Sequence, residues 1–97
     1  MTKRKPVRVR IKGWSTSREV FEENGKILFE IAETDGCPTC QRRIDHVRRT
    51  LARKNIQAKF LIKKSRWGDC LYVALDKPQK GKHVKKYVRE TLDIPII

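Results

Sequence analysis

The sequence has no apolar run that approaches the ~20 residues needed to cross a bilayer. No apolar segment of signal-peptide type follows its basic N-terminus. There are three cysteines in 97 residues, and an odd, low count does not match the disulfide framework of a small secreted domain. These absences argue against a membrane-spanning helix and against a disulfide-stabilised secreted fold, and we expect a cytoplasmic location.

The chain is short enough to limit the protein to one domain with one hydrophobic core. Hydrophobic residues make up 38% of it, which is lean but sufficient for a two-layer fold. The sequence therefore predicts a single domain over residues 1–97. Within it, residues 1–6 are expected to form a flexible basic tail.

Acidic residues are also scarce, 11 against 24 lysines and arginines, and the resulting net charge of +13 is unevenly distributed. Residues 1–12 carry six basic and no acidic side chains, and residues 37–66 carry ten basic and one acidic. Residues 13–36, between these two blocks, carry six acidic and only two basic side chains. A surface evolved only for solubility would mix the signs, so the two basic blocks indicate a negatively charged partner.

The N-terminal third of the chain predicts strands. Residues 7–12 alternate strictly between apolar and basic side chains, which is the period of a half-buried strand. The following stretch allows two interpretations. Asn24 and Gly25 favour a tight hairpin turn, whereas Thr16 and Glu19 have the spacing of a helix capping box. We favour the hairpin, and Lys26–Glu33 is a strand in either case.

Two helices are predicted further along the chain. In the first, Ile44, Val47 and Leu51 recur at helical spacing between Pro38 and Asn55. A hairpin follows, in which residues 58–63 and residues 70–75 form the strands. The second helix places Val84, Tyr87, Val88 and Leu92 on one face, and residues 94–97 could add a short closing strand.

This order of elements predicts an α+β fold, in which an antiparallel sheet is covered on one face by two helices. From residue 26 onward the order strand, helix, strand, strand, helix is compatible with a ferredoxin-like sandwich to which an N-terminal strand or hairpin is added. Each helix has a single apolar stripe, so both helices should pack on the same face of the sheet.

Basic side chains form three rows on these elements. The first follows the N-terminal strand, the second lies on the first helix opposite its apolar stripe and includes His46, and the third surrounds the later hairpin, where aromatic residues are available for stacking. Arginines about one turn apart can follow a phosphate backbone, because each guanidinium can bind two oxygens. The residues that we expect to contact nucleic acid are Arg8, Arg10, Lys12, Arg42, Arg49, Arg53, Lys63, Lys64, Arg66 and Trp67.

Any one row could be merely the solvated side of an amphipathic element. Three rows of the same sign in one small domain repel one another, which favours a binding role. The sequence therefore predicts a non-catalytic protein that binds DNA or RNA mainly through its phosphates and needs no cofactor. An acidic protein partner, with this chain as an interaction protein of viral type, is a further alternative.

A second kind of site is indicated by Cys37 and Cys40, which are separated by two residues at the start of the first helix. There the helix dipole lowers the pKa of the first thiol and favours its thiolate. The segment Gly36-Cys37-Pro38-Thr39-Cys40, with the basic helix and strand that follow it, resembles the active-site segment of glutaredoxins over roughly residues 27–62. This resemblance implies a thiol–disulfide oxidoreductase with Cys37 as nucleophile and Cys40 as resolving thiol.

The same motif is open to other interpretations. It is similar to the Cys-x-x-Cys of heavy-metal-associated domains, which implies a thiolate carrier of copper. A zinc site would take Cys37 and Cys40 together with Cys70 and His83, or with His46 in place of His83. A local disulfide or two free thiols at the helix start would carry no chemistry. Cys70 itself is predicted to be a small core residue of a strand.

Overall fold

A computed structural model describes residues 7–14, 17–34, 38–65, 68–76 and 83–97 of the chain, with residue 65 described in its backbone alone. The N-terminal tail predicted for residues 1–6 lies outside the described residues. The elements, in chain order, are β1 (Val7–Val9), β2 (Arg18–Glu23), β3 (Lys26–Glu33), α1 (Pro38–Arg53), β4 (Lys59–Ser65), β5 (Gly68–Asp76) and α2 (Val84–Leu92).

The described strands form a five-stranded sheet in the order β1-β2-β3-β5-β4, and every neighbouring pair is antiparallel. Residues 18–33 form the predicted hairpin and not a capped helix. Its turn has positive φ at Asn24 (52°) and at Gly25 (77°), as the turn favoured by an Asn-Gly pair requires. The α+β class predicted from the sequence is confirmed.

Both helices pack on one face of the sheet, as their single apolar stripes predict. Val47 and Leu51 of α1 and Val88 and Leu92 of α2 share one buried cluster with the strands. From β3 this cluster takes the predicted apolar side chains, among them Phe29, which is completely buried. Association of two helical stripes with one sheet face removes this apolar surface from water, and the two-layer arrangement follows.

The ferredoxin-like arrangement is not confirmed. The order β3-α1-β4-β5-α2 is present, but the side of β3 that faces away from β5 is occupied by β2. The segment after α2 makes one isolated bridge, between Ile11 and Ile96, in place of a closing strand. The tight turn between β2 and β3 thus places β2 of the N-terminal hairpin in the position next to β3.

The opposite face of the sheet carries a smaller buried cluster, formed by Leu28, Cys70, Tyr72 and Ala74 with Phe21 packed against it. On the edge strand β4, the apolar side chains of the predicted alternation are at most partly buried. Phe60 packs against the helix-side core, whereas Ile62 is 64% exposed. Within the described residues, neither helix has the length and apolar character needed to span a membrane.

Candidate functional site

The first basic row lies along the outer edge of the sheet. Arg8, Arg10 and Lys12 are exposed, and with Trp14 and Ile97 they line a hollow of about 690 Å³, here called the strand hollow. The C-terminal segment holds this region in place, because the Lys12 amide donates to Pro95 O (2.9 Å) and the Ile97 amide donates to Arg10 O (2.8 Å). Arg8 is partly neutralised, since its guanidinium lies 3.4 Å from the Glu19 carboxylate.

The predicted row on α1 divides into two parts. Its C-terminal part makes contacts within the protein: Arg53 forms an exposed ion pair with the Asp93 carboxylate at 3.3 Å, and the Arg49 Nε donates to Asp45 O of the same helix at 3.4 Å. His46 Nε2 lies 3.1 Å from the carbonyl oxygen of Asp93. Asp93 ends α2 in the left-handed region (φ 54°). Arg42, at the N-terminal end of the row, is exposed and makes no ion pair with a described residue.

A second hollow, of about 340 Å³, connects the two rows and is here called the Trp14 hollow. It lies between Gly13 and Trp14, residues 93–95, and the α1 side chains Thr39, Arg42, Arg43 and His46. Gly13 and Trp14 also line the strand hollow, so the two hollows are neighbours. The structure therefore brings the first row and the start of the second row together around Trp14.

The third row is not part of this surface. Lys63 and Lys64 lie on β4, the strand at the edge of the sheet opposite to β1. Lys63 is also paired with the Glu23 carboxylate on the face away from the helices. Arg66 and Trp67 lie outside the described residues. Of the ten residues predicted to contact nucleic acid, the structure groups Arg8, Arg10, Lys12 and Arg42 at one place.

Trp14 is held between α1 and the sheet, and two arginines lie over its ring. The guanidinium carbon of Arg43 is 4.4 Å from the ring centroid and that of Arg18 is 5.4 Å away, while the ring of Phe29 packs at 6.3 Å. Such contacts are typical cation–π interactions. Burial, followed by the charge of Arg18, lowers the pKa of Arg43 from its ordinary value.

Sequence reasoning missed both Arg43 and Arg18. Arg43 lies between the basic row and the apolar stripe of α1, so helical spacing gave no reason to choose it. Arg18 has a buried position that its strand pattern does not reveal. The available signal was the presence of Trp14 in a polar stretch beside the first basic block, since arginine stacks readily on indole.

The cysteines do not form the predicted zinc set in the described residues. Cys40 is buried in the helix-side core and is disulfide-bonded. Cys70 is fully buried in the cluster on the other face of the sheet, as expected of a core residue. His83 is exposed at the start of α2 and makes no side-chain capping bond. Cys37 lies outside the described residues.

Among the described residues, no group of three histidine, cysteine, aspartate or glutamate side chains is placed to hold a metal ion. β4 pairs directly with β5, without the further helix that glutaredoxins have at this point. Comparison of the chain with protein-family models, with curated proteins and with solved structures found no match.

Proposed function

We propose that the protein binds DNA or RNA through backbone phosphates, without a catalytic step, and that it does so with the surface around Trp14. This Trp14 surface consists of Arg8, Arg10, Lys12, Arg42 and Arg43. The observation that supports the proposal is that the strand hollow and the Trp14 hollow share Gly13 and Trp14. Two rows of positive charge, far apart in the sequence, are thereby adjacent in space.

The charges of this surface are largely available to a ligand. Arg10, Lys12 and Arg42 are exposed, and none makes an ion pair with a described residue. Cations that are not neutralised within the protein attract the polyanionic backbone and release its condensed counterions on binding. Because guanidinium groups bind phosphate oxygens in pairs, the two arginines also contribute directional contacts.

The experiment is a salt titration of oligonucleotide affinity, measured by fluorescence anisotropy on DNA and RNA strands. For the wild-type protein we expect affinity to fall steeply as salt rises, with a slope of roughly −0.7 to −0.9 per phosphate contacted. The variant Arg10→Gln/Lys12→Gln should bind less tightly and should lower the magnitude of the slope by up to about 2, because two contacts are lost.

The matched control is Lys85→Gln/Lys86→Gln, which removes the same charge from exposed positions near the start of α2. This variant should retain the wild-type slope. Equal losses in the two variants would mean that net charge and not the Trp14 surface governs binding. Absence of binding at low salt, together with nuclease-resistant capture of an acidic protein, would reject the proposal in favour of a protein partner.

A further inference from the structure

We infer that the Trp14 hollow binds a phosphomonoester, the doubly ionisable phosphate carried by the end of a nucleic-acid strand or by a free nucleotide. Where the phosphate is the end of a nucleic-acid strand, this inference rests on the proposed function and names the part of the nucleic acid that the hollow binds. The hollow measures about 340 Å³, at the lower end of the roughly 300–1,000 Å³ found for small-ligand sites. It therefore has room for one nucleotide and not for a duplex.

The hollow has positive groups on its α1 side. Arg42 and Arg43 line it together with Thr39, which lies in the first turn of α1. That turn has no acidic residue among those described, so the partial positive charge at the helix N-terminus adds to the field of the two arginines. Asp93 also lines the hollow, but Arg53 lies 3.3 Å from its carboxylate and offsets its charge.

Arg43 is held in position before any ligand arrives. Its guanidinium lies on the ring of Trp14, and Phe29 supports the ring from the core side. A guanidinium fixed by stacking loses less conformational entropy when it binds an oxyanion than one that is free in solvent. Two arginines occupy positions over the ring, so the ring serves as a support for arginine and not as a platform for a base.

The arginines crowded around the Trp14 ring favour a ligand that carries more negative charge. Burial in the first place, and then the charge of Arg18, destabilises the charged form of Arg43 and lowers its pKa. The Arg18 guanidinium carbon lies 5.4 Å from the centroid of the same Trp14 ring. A phosphomonoester carries about −1.5 to −2 at neutral pH, whereas each internal phosphodiester carries a single charge. The monoester therefore relieves more of this repulsion, and we expect the hollow to prefer it.

The neighbouring strand hollow gives a direction for the rest of the strand. Arg10 and Lys12 line the strand hollow on the other side of Gly13, and they lie along the edge of the sheet. A strand whose terminal phosphate occupies the Trp14 hollow can place its next phosphates along this row. The Trp14 hollow thus takes the end group of the ligand, and the strand hollow takes its internal backbone.

The test compares one internally labelled single strand prepared with a 5′-phosphate, with a 3′-phosphate, or with hydroxyls at both ends. We expect at least one phosphorylated form to bind about tenfold more tightly than the hydroxyl form, since charged hydrogen bonds are lost with the end group. Arg43→Gln should abolish this preference. Arg42→Gln, at an exposed position, should reduce it.

The matched control is Arg48→Gln. Arg48 lies on the same helix, and its guanidinium is 5.6 Å from the Phe60 ring, so it makes the same kind of contact outside the hollow. This variant should keep the full preference for a phosphorylated end. A similar loss in the Arg48 and Arg43 variants would overturn the inference, because the effect would then come from the helix in general.

The outcomes separate the inference from the proposed function. Equal affinity for all three strands, with the salt dependence retained, would overturn the inference and leave the proposed function standing. A parallel titration uses a nucleoside monophosphate, with the nucleoside as control. If no strand binds but the monophosphate binds in an Arg43-dependent way, the proposed function fails and the hollow takes free nucleotides. If none of these ligands binds, both fail.

Discussion

Arg18 and Glu30 form an ion pair inside the sheet, with 3.4 Å between Arg18 Nη1 and Glu30 Oε2 and less than a tenth of either side chain exposed. Glu30 also accepts a hydrogen bond from the Glu19 amide at 3.2 Å, next to a bulge in the pairing of β3 with β5. Among the described residues, the Arg18 Nε has no hydrogen-bond partner. Arg18, whose guanidinium carbon lies 5.4 Å from the Trp14 ring centroid, is therefore paired with one carboxylate.

The first prediction concerns this pair. Glu30→Gln removes the counter-charge and leaves Arg18 charged in a buried position, which should lower the free energy of unfolding by about 3–5 kcal/mol. Urea denaturation of both proteins measures the difference. Because small domains have a total stability of about 5–15 kcal/mol, the variant should unfold at a much lower urea concentration.

The control for the ion pair is Arg18→Met/Glu30→Leu, which removes both charges and keeps the apolar volume. We expect the double variant to be closer to the wild type than Glu30→Gln alone, because no charge is left buried without its partner. A cost below about 1 kcal/mol for Glu30→Gln would show that the arginine reaches solvent when its partner is lost.

The second prediction concerns the buried thiol of Cys70, which is fully enclosed in the cluster on the face away from the helices. Alkylation of the native protein without reductant should leave Cys70 unlabelled, because the reagent cannot reach a fully buried thiol. After unfolding in urea, mass spectrometry should find the label at Cys70. The variant Cys70→Ala should show no label at this position and should remain folded. Rapid labelling of Cys70 in the native protein would contradict its burial.

Local signals made much of the fold predictable. Asn24 and Gly25 specify a hairpin turn, and the alternation around Phe29 identifies the side of β3 that faces the helices, because both features depend on neighbours within a few residues. Val47 and Leu51 mark the buried stripe of α1 in the same way. Ile62 and Val7 are exceptions: each has the right period to be buried, but each lies on an edge strand and is more than half exposed.

The candidate site was less predictable, because it depends on contacts between distant parts of the chain. The position of β2 next to β3 and the bridge between Ile11 and Ile96 determine which basic rows are neighbours in space. No periodicity within one element contains this information. For the same reason the stacking of Arg43 on Trp14 could not be derived from the composition of α1.

The third prediction concerns Tyr72, which is buried in the same cluster as Cys70 and meets Phe21 edge-on at 5.6 Å. Burial in the first place, and then the charges of Glu30 and Glu19, raises its pKa to about 12. Since the chain has two tyrosines, Tyr87→Phe leaves Tyr72 as the only phenol. In this variant the ultraviolet absorbance of the phenolate should appear near pH 12 in the folded protein and near pH 10 in urea.

The sign of the effect on stability follows from the same shift. In the unfolded chain Tyr72 loses its proton near pH 10, whereas the folded protein retains it until about pH 12. The contribution of protonated Tyr72 to the free energy of unfolding is therefore fully present below about pH 10. It declines as pH rises toward 12, on the order of 1 kcal/mol for each pH unit. Tyr72→Phe keeps the ring packing but cannot ionise, so its stability should fall less steeply over this range. Urea unfolding of both proteins at about pH 9 and about pH 11 measures the difference, and parallel declines would show that Tyr72 does not contribute to the alkaline loss of stability.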